Sequence, residues 1–524
     1  MVGKRLQTAG TYDFATIIRD GMVYADKTDL VYDLTHEYRL VFLSRPRRFG
    51  KSLLCSTLKY YFEGRKELFS GLKIDAMEQD WKEYPVLHFD MSAIKEKTTV
   101  EGMAYSLKKQ IVRIAENYHT NIDDATPGDM LTDLIVRLSK QSPVVIIIDE
   151  YDAPMLNHLN KESLDEVRQM LKEFYLPIKI CDAHIRFALL TGITKFSHLS
   201  IFSTLNNLKN ISMHRHFAGL CGITDEELHT VFAPDVADMA ESNHCSVEEM
   251  YGRLKMQFDG YHFSEMSPDI YNPYSLTLAL DERRIRNYWF ESGTPTFLFE
   301  EMKRLGTNIM DLSDLTLSTE DFDLPTESMD TIIPLLYQSG YLTIKDYEPL
   351  SGRYTLGFPN GEVKTGFMDN LMKSYLNIPL TRGSSLAIDM RTCLYKDDID
   401  GALTHMRAFF AKIPYPDAAN GLMDDIARFE AYYEVLMWVA FTAFGAVIET
   451  EVKSARGRCD LVLHLKDTRY VMELKVGDTA QNALAQINSK GYAIPYQTPD
   501  KKIVKIGISF SRETHTIEDW IIEQ

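Results

Sequence analysis

Apolar positions in the first half of the chain fall into short runs separated by longer stretches of mixed polarity. Leu40–Ser44, Val86–Phe89, Val144–Ile148 and Phe187–Thr191 are rich in Val, Ile, Leu and Phe. Runs of that length and composition predict strands, and the stretches between them carry helical spacing. Strands alternating with helices predict a mainly parallel sheet covered on both faces. The run Pro143-Val-Val-Ile-Ile-Ile-Asp149 is almost wholly apolar before its final Asp, as a central parallel strand requires. A first block therefore extends over residues 1–275. A middle block, 276–380, mixes short helices with a Gly/Tyr-rich stretch at Tyr337–Phe358 and shows no catalytic set. The last block, 381–524, opens with helices. It then turns to strands at Arg458–Leu465 and Arg469–Val476, a helix at Ala480–Tyr492 and a strand at Ile503–Phe510. No internal repeat is visible.

Length and composition narrow the class. A chain of 524 residues exceeds one ordinary domain. Hydrophobic residues at 45% and charged residues at 25% are globular values, which exclude a disordered or collagenous chain. The apolar stretch Val435–Val447 contains Gly445 and is too short to cross a bilayer, so it predicts a buried helix and no membrane partner. Met1 to Gly10 carries Lys4 and Arg5 without an apolar core, so no secretory signal is expected and a cytoplasmic location is. The cysteines, Cys55, Cys181, Cys221, Cys245, Cys393 and Cys459, are scattered without a C-x-x-C pair. That predicts reduced, mostly buried thiols. The net charge of −18 argues against general coating of a polyanion. Residues 381–524 carry 17 Lys+Arg against 20 Asp+Glu, a net of only −3, which leaves room for a local basic groove there.

The first chemical constellation is Leu40-Val-Phe-Leu-Ser-Arg-Pro-Arg-Arg-Phe-Gly-Lys-Ser-Leu-Leu54, an apolar strand, a basic turn and a helix start. Backbone N–H groups at a helix N-terminus point outward with partial positive charge and suit phosphate. The expected nucleotide cradle comprises Arg45, Arg48, Phe49, Gly50, Lys51, Ser52 and Leu53. Lys51 would reach the β- and γ-phosphates and the Ser52 hydroxyl would ligate Mg²⁺. The usual first glycine is replaced by Arg45, so a solvated basic turn is the competing reading. Asp149 and Glu150 follow the apolar strand, at the end where open α/β sheets bind ligands. Asp149 would hold Mg²⁺ and Glu150 would polarise the attacking water. A pair of acidic residues capping the next helix is the plainer alternative. Thr191, ending a further strand, either senses the γ-phosphate or satisfies local backbone. His214-Arg-His216 lacks metal spacing, and nothing selects an arginine finger among Arg168, Arg186 and Arg215. Tyr24, Asp26 and Lys27 either line a base pocket or belong to a docked N-terminal segment, the preferred reading.

Several ordered motifs together resemble the AAA-ATPase-like family of bacterial proteins. They are Tyr24-Ala-Asp-Lys-Thr28, Leu43 through Ser52, Tyr61-Phe-Glu-Gly64, Ile148-Asp-Glu-Tyr-Asp152, Leu190-Thr-Gly-Ile-Thr-Lys195, Phe258-Asp-Gly-Tyr261, Tyr271-Asn-Pro-Tyr-Ser275 and Tyr288-Trp289. The resemblance covers roughly Thr11 to Phe299. It implies an ATPase fold related to AAA+ and STAND ATPases, with arginine at the first-glycine position usual.

The second constellation lies in the last block. Gly457-Arg-Cys-Asp-Leu-Val-Leu-His-Leu465 and Tyr470-Val-Met-Glu-Leu-Lys-Val476 are joined by a turn at Lys466–Thr468. Residues two apart in a strand share a face, so Glu473 and Lys475 project together and Asp460 on the paired strand approaches Glu473. Two adjacent carboxylates repel unless a divalent cation neutralises them. Lys475 would orient a water or stabilise developing charge, the chemistry of metal-assisted phosphodiester hydrolysis. A solvent-facing Glu/Lys pair is the ordinary alternative. Glu430 and Glu434 share one face of an upstream helix, and Gln486 and Tyr492 follow downstream.

This block resembles the PD-(D/E)XK nuclease superfamily, in the branch fused to AAA-ATPase-like domains. The resemblance rests on Glu430-Ala-Tyr-Tyr433, Gly457-Arg458, Asp460, Glu473-Leu-Lys475 and Gln486, with Cys459 where the pattern has proline. It implies Asp460 and Glu473 as metal ligands, Lys475 as catalytic lysine and Glu430 as a further ligand or base. The expected fold is α/β: an N-terminal P-loop NTPase parallel sheet with a helical or winged-helix extension, plus a C-terminal restriction-endonuclease-like α/β domain. The expected function is ATP binding and hydrolysis coupled to a Mg²⁺- or Mn²⁺-dependent DNA nuclease, of a defence or mobile-element kind, with a homo-oligomer as the candidate assembly. A nucleotide-dependent switch that binds nucleic acid or protein without cleaving is the alternative.

Overall fold

The fold is described from a computed structural model. It covers residues 6–95, 97–156, 158, 163–194, 208–292, 298–299, 301–302, 305, 312, 315–323, 331–376, 388–390, 392–411, 433–434, 436–438, 440–441, 447–454, 457–465, 467–497, 501–514 and 516–524. The chain divides into two compact units, Met1–Ser292 with Asp314–Glu362, and Gly293–Ser313 with Val363–Gln524. Residues 276–380 are thus shared between the units.

The first unit is built on five parallel strands: β1 (Leu40–Ser44), β2 (Val86–Asp90), β3 (Val144–Asp149), β4 (Ile185–Gly192) and β5 (Lys209–Asn210). Their order is β2-β3-β4-β1-β5. β3 is buried at every position because both faces are covered. Its side chains alternate between two cores. Ile146 and Ile148 pack with Leu107, Leu134 and Phe174, on the face covered by helices Val100–Asn117, Pro127–Leu138 and Leu164–Ile180. Val145 and Ile147 pack with Leu54, Leu58 and Phe62, on the face covered by helix Lys51–Phe62. A single strand, β4, separates β1 from β3, so the ends of both motif-bearing strands open on the same edge of the sheet.

Beyond this sheet, helices Asp225–Thr230, Ala233–Ser242, Val247–Phe258 and Pro273–Glu282 share a core of Leu228, Val236, Met250 and Leu276. The two-stranded pair β6 (Ile223–Thr224) and β7 (Ile270–Tyr271) ties their ends together. Strand β8 (Leu315–Leu317) is followed by helices Thr319–Phe322 and Ile333–Ser339 and by the hairpin β9 (Thr343–Glu348) and β10 (Arg353–Gly357). β10 pairs antiparallel with both β8 and β9, which is the winged-helix arrangement expected of the extension.

The second unit carries a mixed sheet: β11 (Val447–Ser454), β12 (Gly457–His464), β13 (Thr468–Val476), β14 (Lys502–Phe510) and β15 (Ile517–Glu523), in that order. All neighbours are antiparallel except β13 and β14, which are joined by a crossover through helix Ala480–Lys490. β11 and β15 were not anticipated, and Val447, expected to end a helix, begins β11. The described residues of that apolar stretch, Leu436, Met437, Trp438, Ala440 and Phe441, are helical and buried. Among the described residues no helix is long and apolar enough to cross a membrane. All six cysteines are unpaired, and Cys55, Cys181, Cys221 and Cys459 are buried.

The crossover helix lies unusually close to β14. A Cβ on Gly507 would stand 2.2 Å from the Ala480 carbonyl oxygen and 2.6 Å from the Leu484 nitrogen. Gly507 faces Glu473 across the ladder, so this close approach sets the height of the helix over the strand that carries Glu473. Gly507→Ala is expected to cost about 1–3 kcal/mol of stability by overpacking. Gly252→Ala, exposed in helix Val247–Phe258 with nothing within 4 Å, is expected to gain up to about 1 kcal/mol. Denaturant unfolding of both variants checks the pair, and equal effects would contradict the packing argument.

Candidate functional site

In the first unit the turn after β1 is held in an exacting shape. Gly50 begins helix Lys51–Phe62 with φ +89°, a left-handed conformation that favours glycine although no atom crowds its missing Cβ. Arg48 is also left-handed, at φ +65°. Strain of this kind costs about 1–3 kcal/mol per residue and persists where the surroundings enforce it. The enforcing contacts come from motifs far away in sequence. Phe49 is fully buried and packs edge-on against Tyr261 and Phe263, with ring centres 4.7 and 5.3 Å away. The Arg48 guanidinium lies 3.7 Å above the Tyr274 ring and donates to the Tyr288 carbonyl. A Cβ on Gly340 would stand 2.5 Å from Pro46, so the winged-helix element also presses on the turn.

Arg45, at the first-glycine position, turns inward. Its guanidinium is buried, donates to the carbonyls of Ser44, Ser212 and Phe217, and lies 4.0 Å from the Phe263 ring centre. The Arg45 and Phe49 side chains therefore brace the turn from behind. The Lys51 ammonium donates to the carbonyls of Arg45 and Pro46, both at 2.9 Å, which closes the turn into a ring. Burial pulls Lys51 below the ordinary lysine range, and Asp149, Asp152 and Glu150 oppose that pull in that order.

Across β4, Asp149 is buried at the end of β3, where its Oδ1 accepts from the Glu150 N–H. Glu150 is left-handed, at φ +52°, so strained residues mark both halves of the site. Ser52 and Leu53 are half-buried in the first turn of the helix. Thr191 is fully buried and its hydroxyl donates to the Leu43 carbonyl on β1, so it satisfies the backbone between the two strands. The arginine candidates are similarly committed or remote. Arg168 pairs with Asp165 and Arg186 donates to the Thr35 carbonyl, while Arg215 is exposed beside His216, which bonds Asp33.

A shallow cleft opens beside Gly50 and Leu53. Its lining is largely apolar and includes Tyr24, Lys27, Cys221, Gly222, Phe232 and Pro273. An apolar lining of this kind can pack against the face of a flat heterocycle. Tyr24 and Lys27 therefore line a pocket, whereas the Asp26 carboxylate caps the next helix through the Thr28 N–H and hydroxyl. Lys27 also forms a 2.6 Å pair with Glu227. Gly222, Ile223 and Phe232 carry no sequence signal of their own here, because an apolar pattern alone does not separate a cleft wall from a core.

The second unit contains its own cluster. The β12–β13 register places Asp460 opposite Glu473, one step beyond Leu461↔Met472. There the Asp460 carboxylate accepts from the Leu474 N–H at 2.7 Å. Glu473 is 1% exposed, and Lys475 donates to its Oε1 at 3.3 Å. Gln486, from the crossover helix, donates to the same oxygen. The Oε2 of Glu473 is buried with no hydrogen-bond partner among the described residues. Burial, and after it the Asp460 charge, pushes Glu473 up to about 7, with Lys475 opposing. A buried orphan oxygen beside a second carboxylate fits a divalent cation, which would satisfy the oxygen and cancel the repulsion. Asp460 and Glu473 would hold it. Glu430 lies outside the described residues. Glu434 is buried in the described part of the same segment. Among the described residues no group of three His, Cys, Asp or Glu gathers at one point.

Comparison with known proteins gives a family match over each of the two regions. The family model described as Predicted AAA-ATPase matches residues 8–202, which include Lys51, Asp149 and Glu150. The PD-(D/E)XK nuclease superfamily model matches residues 428–520, which include Asp460, Glu473, Lys475 and Gln486. A protein of Azotobacter chroococcum mcd 1, called "Uncharacterized protein in vnfD 5'region", is 34% identical over 534 residues, covering 98% of each chain.

The raised Glu473 carboxyl gives a pH test of the second cluster. It binds its proton more tightly folded than unfolded, so its contribution is full below the ordinary value of 4.5 and is lost as pH rises through about 7. Glu473→Gln and the parent are expected to unfold alike at acid pH. Above the folded value, metal-free, the variant should be more stable by up to about 3 kcal/mol. Stability curves for the two proteins that stay parallel across this range would contradict the assignment.

Proposed function

This chain belongs to the AAA-ATPase-like family and carries a PD-(D/E)XK nuclease superfamily domain toward its C-terminal end, and on that premise we propose that it hydrolyses ATP and uses it to control a Mg²⁺-dependent DNA nuclease. The observation that carries the reading is that each unit sets a lysine within electrostatic reach of carboxylates on or just beyond its sheet strands. These are Lys51 with Asp149 and Glu150, and Lys475 with Glu473 and Asp460. In the first, Gly50 to Leu53 and the turn before them would cradle the phosphates, and Ser52 and Asp149 would hold the nucleotide's Mg²⁺. Glu150 takes a proton from the attacking water. In the second, Asp460 and Glu473 would hold Mg²⁺ or Mn²⁺, which supplies charge neutralisation at the scissile phosphate. Lys475 orients the attacking water and offsets developing negative charge. Nucleotide turnover gates the second reaction, and the whole suits a cytoplasmic bacterial defence or mobile-element role.

Net charge favours the rival reading, in which the chain is a switch that binds without cutting, since −18 does not attract DNA. Plasmid and linear DNA incubated with Mn²⁺ or Mg²⁺, with and without ATP, separate the two. Cleavage by the parent is expected to fall at least about 100-fold in both Asp460→Asn and Lys475→Ala. Absent cleavage, or cleavage that survives both changes, leaves the switch. For the ATPase, Lys51→Ala is expected to abolish nucleotide binding. Glu150→Gln should keep binding and slow turnover about 100-fold or more. Unchanged turnover in both rejects the assignment.

A further inference from the structure

The peptide group between Tyr288 and Trp289 is gripped from both sides. Its carbonyl, on Tyr288, accepts from the Arg48 guanidinium at 3.1 Å. Its N–H, on Trp289, donates to the Glu362 Oε1 at 2.9 Å, and the Tyr288 N–H donates to the same oxygen at 2.6 Å. One peptide plane thus stands between a carboxyl oxygen and a residue of the phosphate turn. Glu362 is 1% exposed, and Tyr288 and Trp289 are buried with it. Glu362 lies in the first turn of helix Gly361–Leu376. An acidic residue at such a place ordinarily complements the helix dipole. Here its Oε1 is spent instead on two N–H groups 74 and 73 residues away in the chain.

The grip matters because of what Arg48 does. Arg48 stands two residues before Gly50 with a left-handed backbone, at φ +65°, a shape that persists only where neighbours enforce it. Its guanidinium is anchored by the Tyr274 ring and by the Tyr288 carbonyl. Hydrogen bonds in series polarise one another, so an acceptor on the Trp289 N–H strengthens the carbonyl that Arg48 uses. Without that acceptor two buried N–H groups lose a partner, and the segment that presents the carbonyl is no longer fixed. Burial pushes the Glu362 carboxyl up to about 7. Its Oε1 accepts in either protonation state, so the grip requires the oxygen and not the charge.

We propose that Glu362 is a positioning residue of the ATPase site: through the Tyr288–Trp289 peptide group it holds Arg48, and with it the phosphate turn, in the shape that binds nucleotide. This rests on the ATPase reading given above. Substitution separates the parts. Glu362→Gln keeps an oxygen acceptor of the same reach, and Glu362→Ala removes it. Arg48→Ala removes the other end of the grip.

The test is Kd for a fluorescent ATP analogue on the intact chain and each variant, with thermal unfolding to show that each is folded at the assay temperature. Glu362→Ala is expected to raise Kd about tenfold or more, and Glu362→Gln to stay within about threefold of the parent. Both residues act on one peptide group, so the double variant Arg48→Ala/Glu362→Ala is expected within about threefold of the weaker single variant, whereas independent roles would multiply. Parent-like binding by Glu362→Ala would overturn the proposal. So would a Glu362→Gln protein that binds as poorly as Glu362→Ala, or losses that multiply. If Glu362→Ala does not fold, Glu362→Asp withdraws the acceptor by one methylene and is expected to weaken binding, and parent-like binding by that variant overturns the proposal equally. A parent protein that does not bind the analogue sinks the ATPase reading and Glu362 with it. A parent whose binding is lost in Lys51→Ala but untouched in Glu362→Ala sinks Glu362 alone.

Discussion

Charge buried on and beside the sheet strands is the constraint on which this molecule depends. Transferring an ammonium or a carboxylate out of water is expensive, and the expense is tolerated only where an opposite charge and hydrogen bonds meet it. Lys51 meets it with two loop carbonyls and three acidic neighbours. Glu473 meets it only in part, through Lys475 and Gln486 on one oxygen. Its second oxygen and the facing Asp460 leave a negative deficit that a cation would fill. An incomplete balance of this kind is what an active site looks like before its ligand arrives.

Much of the remaining sequence supports that arrangement at a distance. The basic turn before Lys51 contains three arginines, a run that on its own suggests a solvated phosphate trap. Two of the three are spent on structure. Arg45 anchors the turn to carbonyls beneath it, and Arg48 anchors it to Tyr274 and Tyr288. With Phe49 wedged between Tyr261 and Phe263, the turn is clamped by the helical and winged-helix parts of its own unit. The motifs around Tyr261, Tyr274 and Tyr288, each chemically bland, gain their meaning from this clamp. Any movement of those parts would be felt first at the phosphate turn.

How much of this was legible in the sequence follows from the range of each signal. The strands Leu40–Ser44 and Val144–Asp149 were legible because a strand buried on both faces is apolar without a break. The pairing of Asp460 with Glu473 was legible because a two-residue period and one short turn settle which side chains face each other. Gln486 could be named but not placed, since its reach to Glu473 depends on how closely a helix can approach Gly507. The inward course of Arg45 was hidden, because its acceptors are the carbonyls of Ser212 and Phe217, more than 160 residues away. β15 was missed because its edge position leaves Glu518 to Glu523 mostly half-exposed, which erases the alternation that marks a strand.

The most direct measurement is a calorimetric titration of the intact chain with Mn²⁺, alone and with a non-hydrolysable ATP analogue. The account requires one ion per chain without nucleotide, lost in Glu473→Gln. It requires a second ion when the analogue is present, lost in Lys51→Ala. Binding that Glu473→Gln leaves intact, or a stoichiometry that the analogue does not change, would contradict it.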